Sequence, residues 1–111
     1  MERTEQQLLD WLNEHVNETV VLEKQELDDL DTIHFNLESV DYRNAEAVID
    51  EYLGSALILR GSGSTLNGDN ELVPLPQHNY EIAVAGLQIE SIREDKVELK
   101  TDRAKYALSL T

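Results

Sequence analysis

The stretch YEIAVAGLQIESIREDKVELKTDRAKYALSL, residues 80–110, decides the fold. Apolar residues alternate with polar or small ones in four short runs, around Ile82, Ile89, Val97 and Leu108. A period of two predicts strands with one buried face. The turns between these runs are too short for crossover connections, so we expect neighbouring strands to pair antiparallel. This part of the chain therefore predicts a meandering antiparallel sheet.

A second alternating segment lies in the first half of the chain. Ile33, Phe35 and Leu37 alternate with polar residues, and the apolar positions then move to Val40 and Tyr42. If all of these apolar residues face the same side of the sheet, the change from odd to even positions requires one extra residue in the strand. The pattern predicts a β-bulge or bend near residues 38–39.

Shorter segments complete the strand pattern. Residues 20–22 form an apolar run, and residues 57–59 begin another strand. Residues 26–31, ELDDLD, are predicted to be a polar turn or loop. Residues 72–76 carry two prolines, which fits an edge strand or a covering loop because proline cannot donate to a strand ladder.

The N-terminus has a helical pattern. Residues 4–16 place Leu8, Trp11, Leu12 and His15 on one face, which predicts an amphipathic helix of about three turns. Thr4 and Gln7 have the spacing of a capping box. Residues 45–53 fit either a second short helix, capped by Asn44 and ended by Gly54, or an irregular strand.

These patterns predict one α+β domain over residues 1–111. An N-terminal amphipathic helix packs on a meandering antiparallel β-sheet or partly closed barrel. The second short helix at 45–53 is an optional addition to this fold.

The charge of the chain is strongly negative. Nine Lys and Arg stand against 23 Asp and Glu, for a net charge of −14, and residues 1–55 carry 15 acids and three bases. Nucleic acid and anionic membranes require clustered cations, so we expect neither as a partner. An acidic surface can attract a basic partner or divalent cations, although solubility or a salty cytoplasm explains it as well.

Other totals bear on the compartment. The chain has no cysteine, which excludes disulfides, thiolate metal sites and cysteine nucleophiles. The N-terminal residues MERTE do not resemble a signal peptide, and no apolar run is long enough to span a bilayer. We therefore expect a soluble, cytoplasmic protein.

The stretch LRGSGSTLNGD, residues 59–69, has the glycines of a phosphate-binding loop. Gly63 and Gly68 have the right separation, but Asp69 stands where such a loop needs lysine, and it would repel phosphate. The Asn67–Gly68 pair instead favours a hairpin turn, with a longer loop as the alternative. Gly61 and Gly63 then mark a bend or a close approach between elements, beside the wall of any pocket formed there.

No motif indicates catalysis, a cofactor or a metal site. The acidic run 26–31 lacks the glycine and the twelfth-position glutamate of a calcium loop. The three histidines lie in separate segments without metal-ligand spacing. The chain has no nucleophile elbow, and paired carboxylates distinguish nothing in so acidic a sequence.

Three hypotheses for function remain. The first is a non-enzymatic protein-interaction or regulatory module, with a protein partner or as a homo-oligomer. The second is a small-ligand binder with a pocket inside a curled antiparallel sheet, and the third is an enzyme whose site the sequence does not reveal. Four residues are candidates for ligand or partner contact: Trp11, His34, Arg60 and His78.

Overall fold

The computed structural model describes residues 3–43, 55–66, 69, 71–76 and 78–110. Within them, one helix precedes eight strands: α1 (Arg3–Glu14), β1 (Thr19–Glu26), β2 (Asp29–Arg43), β3 (Ala56–Leu66), β4 (Leu72–Pro74), β5 (Asn79–Ala83), β6 (Gln88–Ile92), β7 (Lys96–Lys100) and β8 (Lys105–Leu110). The segment predicted as a second helix, 45–53 with Asn44 and Gly54, lies outside the described residues, as do Asn67 and Gly68.

The strands form one antiparallel sheet that is not closed. Their order is β4-β3-β2-β1-β8-β7-β6, and β5 pairs with the first half of β3. With α1 packed on this sheet, the α+β fold predicted from the alternating patterns is confirmed. The four C-terminal runs are the strands β5 to β8.

The sheet curls around its apolar face. The nearby phenol of Tyr106 on β8 contributes to the raised pKa of Tyr80 on β5, although three strands separate β5 from β8 in the sheet order. The amide of Asp102 also donates to the carbonyl of Ala85, which joins the β7–β8 turn to the β5–β6 connection. Inward side chains from the helix and both halves of the sheet pack in one cluster.

The predicted bulge in β2 is present. The pairing of β2 with β3 shifts between Leu37 and Ser39. Gly61 lies opposite Leu37 with a φ of 154°, and a Cβ on Gly61 would collide with the backbone carbonyl of Asn36. Only glycine lets the two strands approach so closely at this bend.

Gly63 allows a second close approach. A Cβ on Gly63 would lie 3.0 Å from both Leu75 Cδ1 and Phe35 Cδ2. The amide of Leu75 donates to the Gly63 carbonyl at 2.8 Å, which holds Leu75 over the missing side chain. The two glycines therefore serve packing, and apolar side chains cover Gly63 where a pocket wall was considered.

Helix α1 covers one end of the curled sheet. It begins at Arg3, so Thr4 lies inside the first turn rather than before it, and the predicted capping position is wrong by at least one residue. The chain then turns through Asn17, whose φ is 74°. The Asn17 amide donates to the Leu37 carbonyl at 2.7 Å, which ties the helix end to β2.

Two connections differ in detail from the sequence patterns. The strand β4 pairs only with β3 in the described chain and carries Pro74, which confirms an edge strand. The polar run 26–31 was expected to be a turn or loop throughout. Instead Glu26 pairs directly with Asp29, so the connection is a two-residue turn and the rest belongs to β1 and β2.

Candidate interaction surface

Trp11 lies in the core. Its side chain is buried, and its Nε1–H donates to the Arg93 carbonyl at 2.7 Å. Its ring also lies 4.5 Å from the ring of His15, centroid to centroid. These contacts attach α1 to the β6–β7 turn.

Of the other three candidates, His34 and Arg60 lie on the outer face of the sheet, and His78 precedes β5. His34 is half-buried between Val21 and Ser64, on the face opposite the core. Arg60 also faces outward, and its Nε–H donates to Asp41 Oδ2 at 2.7 Å. A ligand pocket inside the curled sheet would therefore not receive the side chains of His34 or Arg60.

The backbone brings only two of the four candidates close together. The exposed His78 accepts a hydrogen bond from the Gly61 amide, 2.9 Å from its carbonyl oxygen, so it adjoins Arg60. His34 pairs with Ser64, four residues from Arg60 along β3. Trp11 lies on the opposite, core side of the sheet, so the four residues do not form one site.

The strongest local anomaly is the β1–β2 turn. Leu27 and Asp28 connect the two strands, and Leu27 has a φ of 54° while Asp28 does not have a positive φ. A positive φ at the first central residue alone is typical of a type II′ turn, where glycine is preferred. Leucine pays a steric penalty there because its Cβ crowds the backbone.

Leu27 is also the most exposed large apolar residue of the described chain, at 92%. Three residues further along, Leu30 is 62% exposed. Neither leucine is buried by the fold, so neither contributes much to its stability. Exposed apolar residues in an unfavourable backbone conformation are a reason to look for a binding role.

The pairing register places Leu30 at the end of a row on the outer face. Leu30 pairs with Gln25, Gln25 with Lys105, Lys105 with Lys100, and Lys100 with Gln88. Cross-strand neighbours on one face lie about 5 Å apart. The row therefore presents a leucine and two lysines, and no carboxylate.

A depression of about 320 Å³ adjoins this row. Its lining includes Leu27, Lys100, Arg103 and Lys105. A second depression of about 240 Å³ shares Gln25 and Lys105 with the first, and its lining also includes Leu30 and the glutamates Glu23, Glu90 and Glu98. We call the following six residues the tip surface: Gln25, Leu27, Leu30, Lys100, Arg103 and Lys105.

Tyr80 and Tyr106 lie on the inner side of the sheet. Burial raises the pKa of Tyr106, and the nearby carboxylate of Glu26 raises it further, while Arg103 lowers it. Burial also raises the pKa of Tyr80 well above its usual value, with Tyr106 and Asp31 adding to the effect. Both phenols are therefore neutral at physiological pH.

Comparison with known proteins places the chain in a family. The model of the family described as YmzB-like protein matches residues 1–111. The chain belongs to the YmzB-like family. The uncharacterised protein YmzB of Bacillus subtilis (strain 168) is 35% identical over 117 aligned positions, which cover 99% of this chain and 98% of that protein. No solved structure matches.

Two further findings apply to the described residues of this YmzB-like chain. No group of three or more His, Cys, Asp or Glu side chains there is arranged to hold a metal ion. No helix in the same part of the chain has the length and apolar character needed to cross a membrane.

Two features of the sequence indicate the tip surface. Val20 pairs with Phe35 and Leu22 pairs with Ile33, and both pairs are centred between residues 27 and 28. Pairing the inward apolar residues in this way locates the turn at Leu27. The second feature is that three of the nine Lys and Arg residues fall within residues 100–105.

Proposed function

We propose that this member of the YmzB-like family is a non-enzymatic protein-interaction module of the cytoplasm, and that the tip surface contacts a protein partner. The observation that carries the proposal is Leu27, which combines a positive φ with 92% exposure. An unstrained polar or glycine residue would suit an isolated turn better. A partner that buries the leucine side chain supplies the stabilisation that the isolated fold does not.

The size of that stabilisation supports a specific contact. Complete burial of a leucine side chain is worth about 1.5–3 kcal/mol, or roughly tenfold to a hundredfold in affinity. Leu30 lies beside Leu27 at the tip, so one partner surface can cover both. The row that continues from Leu30 adds polar contacts at the rim, as is typical of protein interfaces.

Site-specific photo-crosslinking in cells tests this proposal. A photo-reactive amino acid replaces Leu30 in one variant and Ser109 in the control variant, because Ser109 faces the same side of the sheet at its other end. We expect a protein to be crosslinked from position 30 and not from position 109. Equal capture from both positions would count against the tip surface.

The captured protein is then purified and its affinity measured by calorimetry. Leu27→Ala is compared with Leu72→Ala, since Leu72 is another exposed leucine, on the edge strand β4. We expect Leu27→Ala to raise the Kd at least about tenfold, and Leu72→Ala to leave it unchanged. An unchanged Kd for Leu27→Ala would refute the proposed role of the tip.

A further inference from the structure

We infer that the partner segment bound at the tip surface is acidic as well as apolar, an inference that rests on the proposed function. Lys100, Arg103 and Lys105 contact its carboxylates, while Leu27 and Leu30 contact its apolar side chains. The partner is thus a protein segment in which leucine-like residues stand next to Asp or Glu.

The first support is that these cations lack ion pairs. Acids outnumber bases 23 to nine in this chain, so a base without an acidic neighbour is unexpected. Of the five other bases whose side chains are described, Lys24, Arg43, Arg60 and Lys96 have a carboxylate oxygen within 3.5 Å of a side-chain nitrogen, and Arg93 has none. In the described part of the chain, Lys100, Arg103 and Lys105 have no such partner.

The second support is that two of these cations are directly opposed. Lys100 pairs with Lys105 across β7 and β8, and both side chains point to the outer face. Like charges directly opposite each other destabilise an antiparallel pair. A glutamate at position 100 would remove that repulsion, so the lysine pair is not needed by the fold and suits an anionic ligand.

The 320 Å³ depression carries more positive than negative charge, whereas the 240 Å³ depression beside it is lined by Lys105 and three glutamates, Glu23, Glu90 and Glu98, so the acidic segment binds in the larger one. The lining of this larger depression holds three cations and one carboxylate, that of Asp102. The Asp102 carboxylate packs against Gly86, in the space that a Cβ on Gly86 would occupy. Strand alternation also directs the acids Asp29 and Asp31 away from the row that contains Leu30.

The net charge of the whole chain does not oppose this local preference. At physiological ionic strength, exposed charges are screened beyond about 8 Å, so the cations nearest to the bound carboxylate dominate. A second copy of the chain is the less suitable occupant, because a two-fold contact would bring the same cations against each other. The two exposed leucines favour a protein segment over free phosphate or nucleic acid, which offer no aliphatic side chain.

NMR titration of the isotope-labelled full chain tests the inference with defined probes. The first probe is a blocked hexapeptide of alternating leucine and glutamate, and the second replaces each leucine with serine. We expect the first probe to shift the amide signals of Gln25, Leu27 and residues 100–105, and the second to bind at least several-fold more weakly. Because the chain carries a charge of −14, an acidic probe has little general attraction to it.

Two charge variants then locate the site. Lys105→Glu should weaken binding of the leucine–glutamate peptide roughly tenfold, because it removes one attraction and adds one repulsion. The matched control is Lys96→Glu, on the same face at the other end of β7, which should leave binding unchanged. The unfolding temperature of Lys105→Glu is measured alongside, because the substitution removes the repulsion from Lys100 but adds a carboxylate near Glu23, Glu90 and Glu98.

The outcomes separate this inference from the proposed function. Equal weakening by Lys96→Glu, no binding of the peptide, or tighter binding of inorganic phosphate or a short oligothymidylate would overturn the acidic-segment inference. If the crosslinked partner depends on Leu27 but not on Lys105, the proposed function stands and this inference fails. If the peptide binds at Lys105 while the partner ignores Leu27, the proposed function fails instead.

Discussion

Replacing Leu27 with glycine should stabilise the isolated protein. Leu27 has a φ of 54° and is 92% exposed, so the substitution removes backbone strain and almost no buried surface. Relief of the left-handed conformation is worth about 1–2 kcal/mol. The extra freedom of glycine in the unfolded chain offsets about 0.5–1 kcal/mol of that gain.

The net gain in the free energy of unfolding is about 0–1.5 kcal/mol, centred near 0.75 kcal/mol. For 111 residues, the entropy of unfolding is about 0.23 kcal/mol/K, so a gain of that central size raises the Tm by about 3 °C. Differential scanning calorimetry measures the Tm, and urea denaturation measures the free energy of unfolding with an unchanged m-value.

Leu27→Ala is the matched control for this measurement. Alanine removes most of the side chain but keeps the Cβ, so it keeps the penalty of the positive φ. We expect its Tm to stay within about 2 °C of the wild type. A lower Tm for Leu27→Gly, or an equal rise for Leu27→Ala, would show that strain at the turn is not the cause.

Four other substitutions test the fold. Gly61→Ala should destabilise the protein by at least about 3 kcal/mol, because its Cβ meets rigid backbone. Gly63→Ala should cost only about 1 kcal/mol, because its Cβ meets side-chain atoms that can move. Urea titration of both variants ranks the two losses of stability. Trp11→Phe should cost about 1–3 kcal/mol, since it leaves the Arg93 carbonyl without its donor, again measured in urea. In the native state Tyr80 keeps its proton above pH 10, where the tyrosine of the unfolded chain loses it. The urea midpoint should therefore fall as the pH rises above about 10. Tyr80→Phe should make that fall smaller.

Each of these results has a contrary outcome. A ranking of the glycine variants in the reverse order would contradict the close approach of β2 and β3 at the bulge. Wild-type stability in Trp11→Phe would mean that the indole hydrogen bond contributes nothing to the helix contact. A stability that stays constant or rises above pH 10 would contradict the raised pKa of the buried phenol.

The strands could be predicted from the sequence because one face of each is buried. Side chains of a strand alternate between two faces, so burial of one face leaves a period of two that can be read without a structure. The same logic located the bulge, since Leu37 and Val40 are both buried and an extra residue must separate them. A prediction of this kind depends only on local geometry.

The curl of the sheet and the tip surface could not be predicted in the same way. Tyr80 approaches Tyr106 across three intervening strands, and the backbone of β3 at Gly61 approaches Asn36 of β2, so both features depend on residues far apart in the chain. The run 26–31 was assigned to a loop because aspartate favours turns over strands. Cross-strand pairing overrode that preference and confined the turn to Leu27 and Asp28.

The candidates Trp11, His34, Arg60 and His78 stand out in the sequence by residue type alone. The structure explains Trp11 by core packing and Arg60 by its ion pair with Asp41. The residues of the tip surface are of common types, and what is unusual is the positive φ of Leu27 and the pairing of Lys100 with Lys105. Such a site becomes visible only when the register and the backbone angles are known.

Two independent costs meet at the tip surface, and this coincidence is the main argument for a binding role. Leu27 strains a turn, and Lys100 opposes Lys105 a short distance away. Either cost could be removed by one substitution, to glycine or to glutamate, without disturbing a buried side chain. Neither cost brings a compensating contact within the described fold, and both become favourable once a segment with apolar and acidic side chains covers the tip. The two unfavourable features thus have one common explanation, whereas a purely structural account needs a separate reason for each.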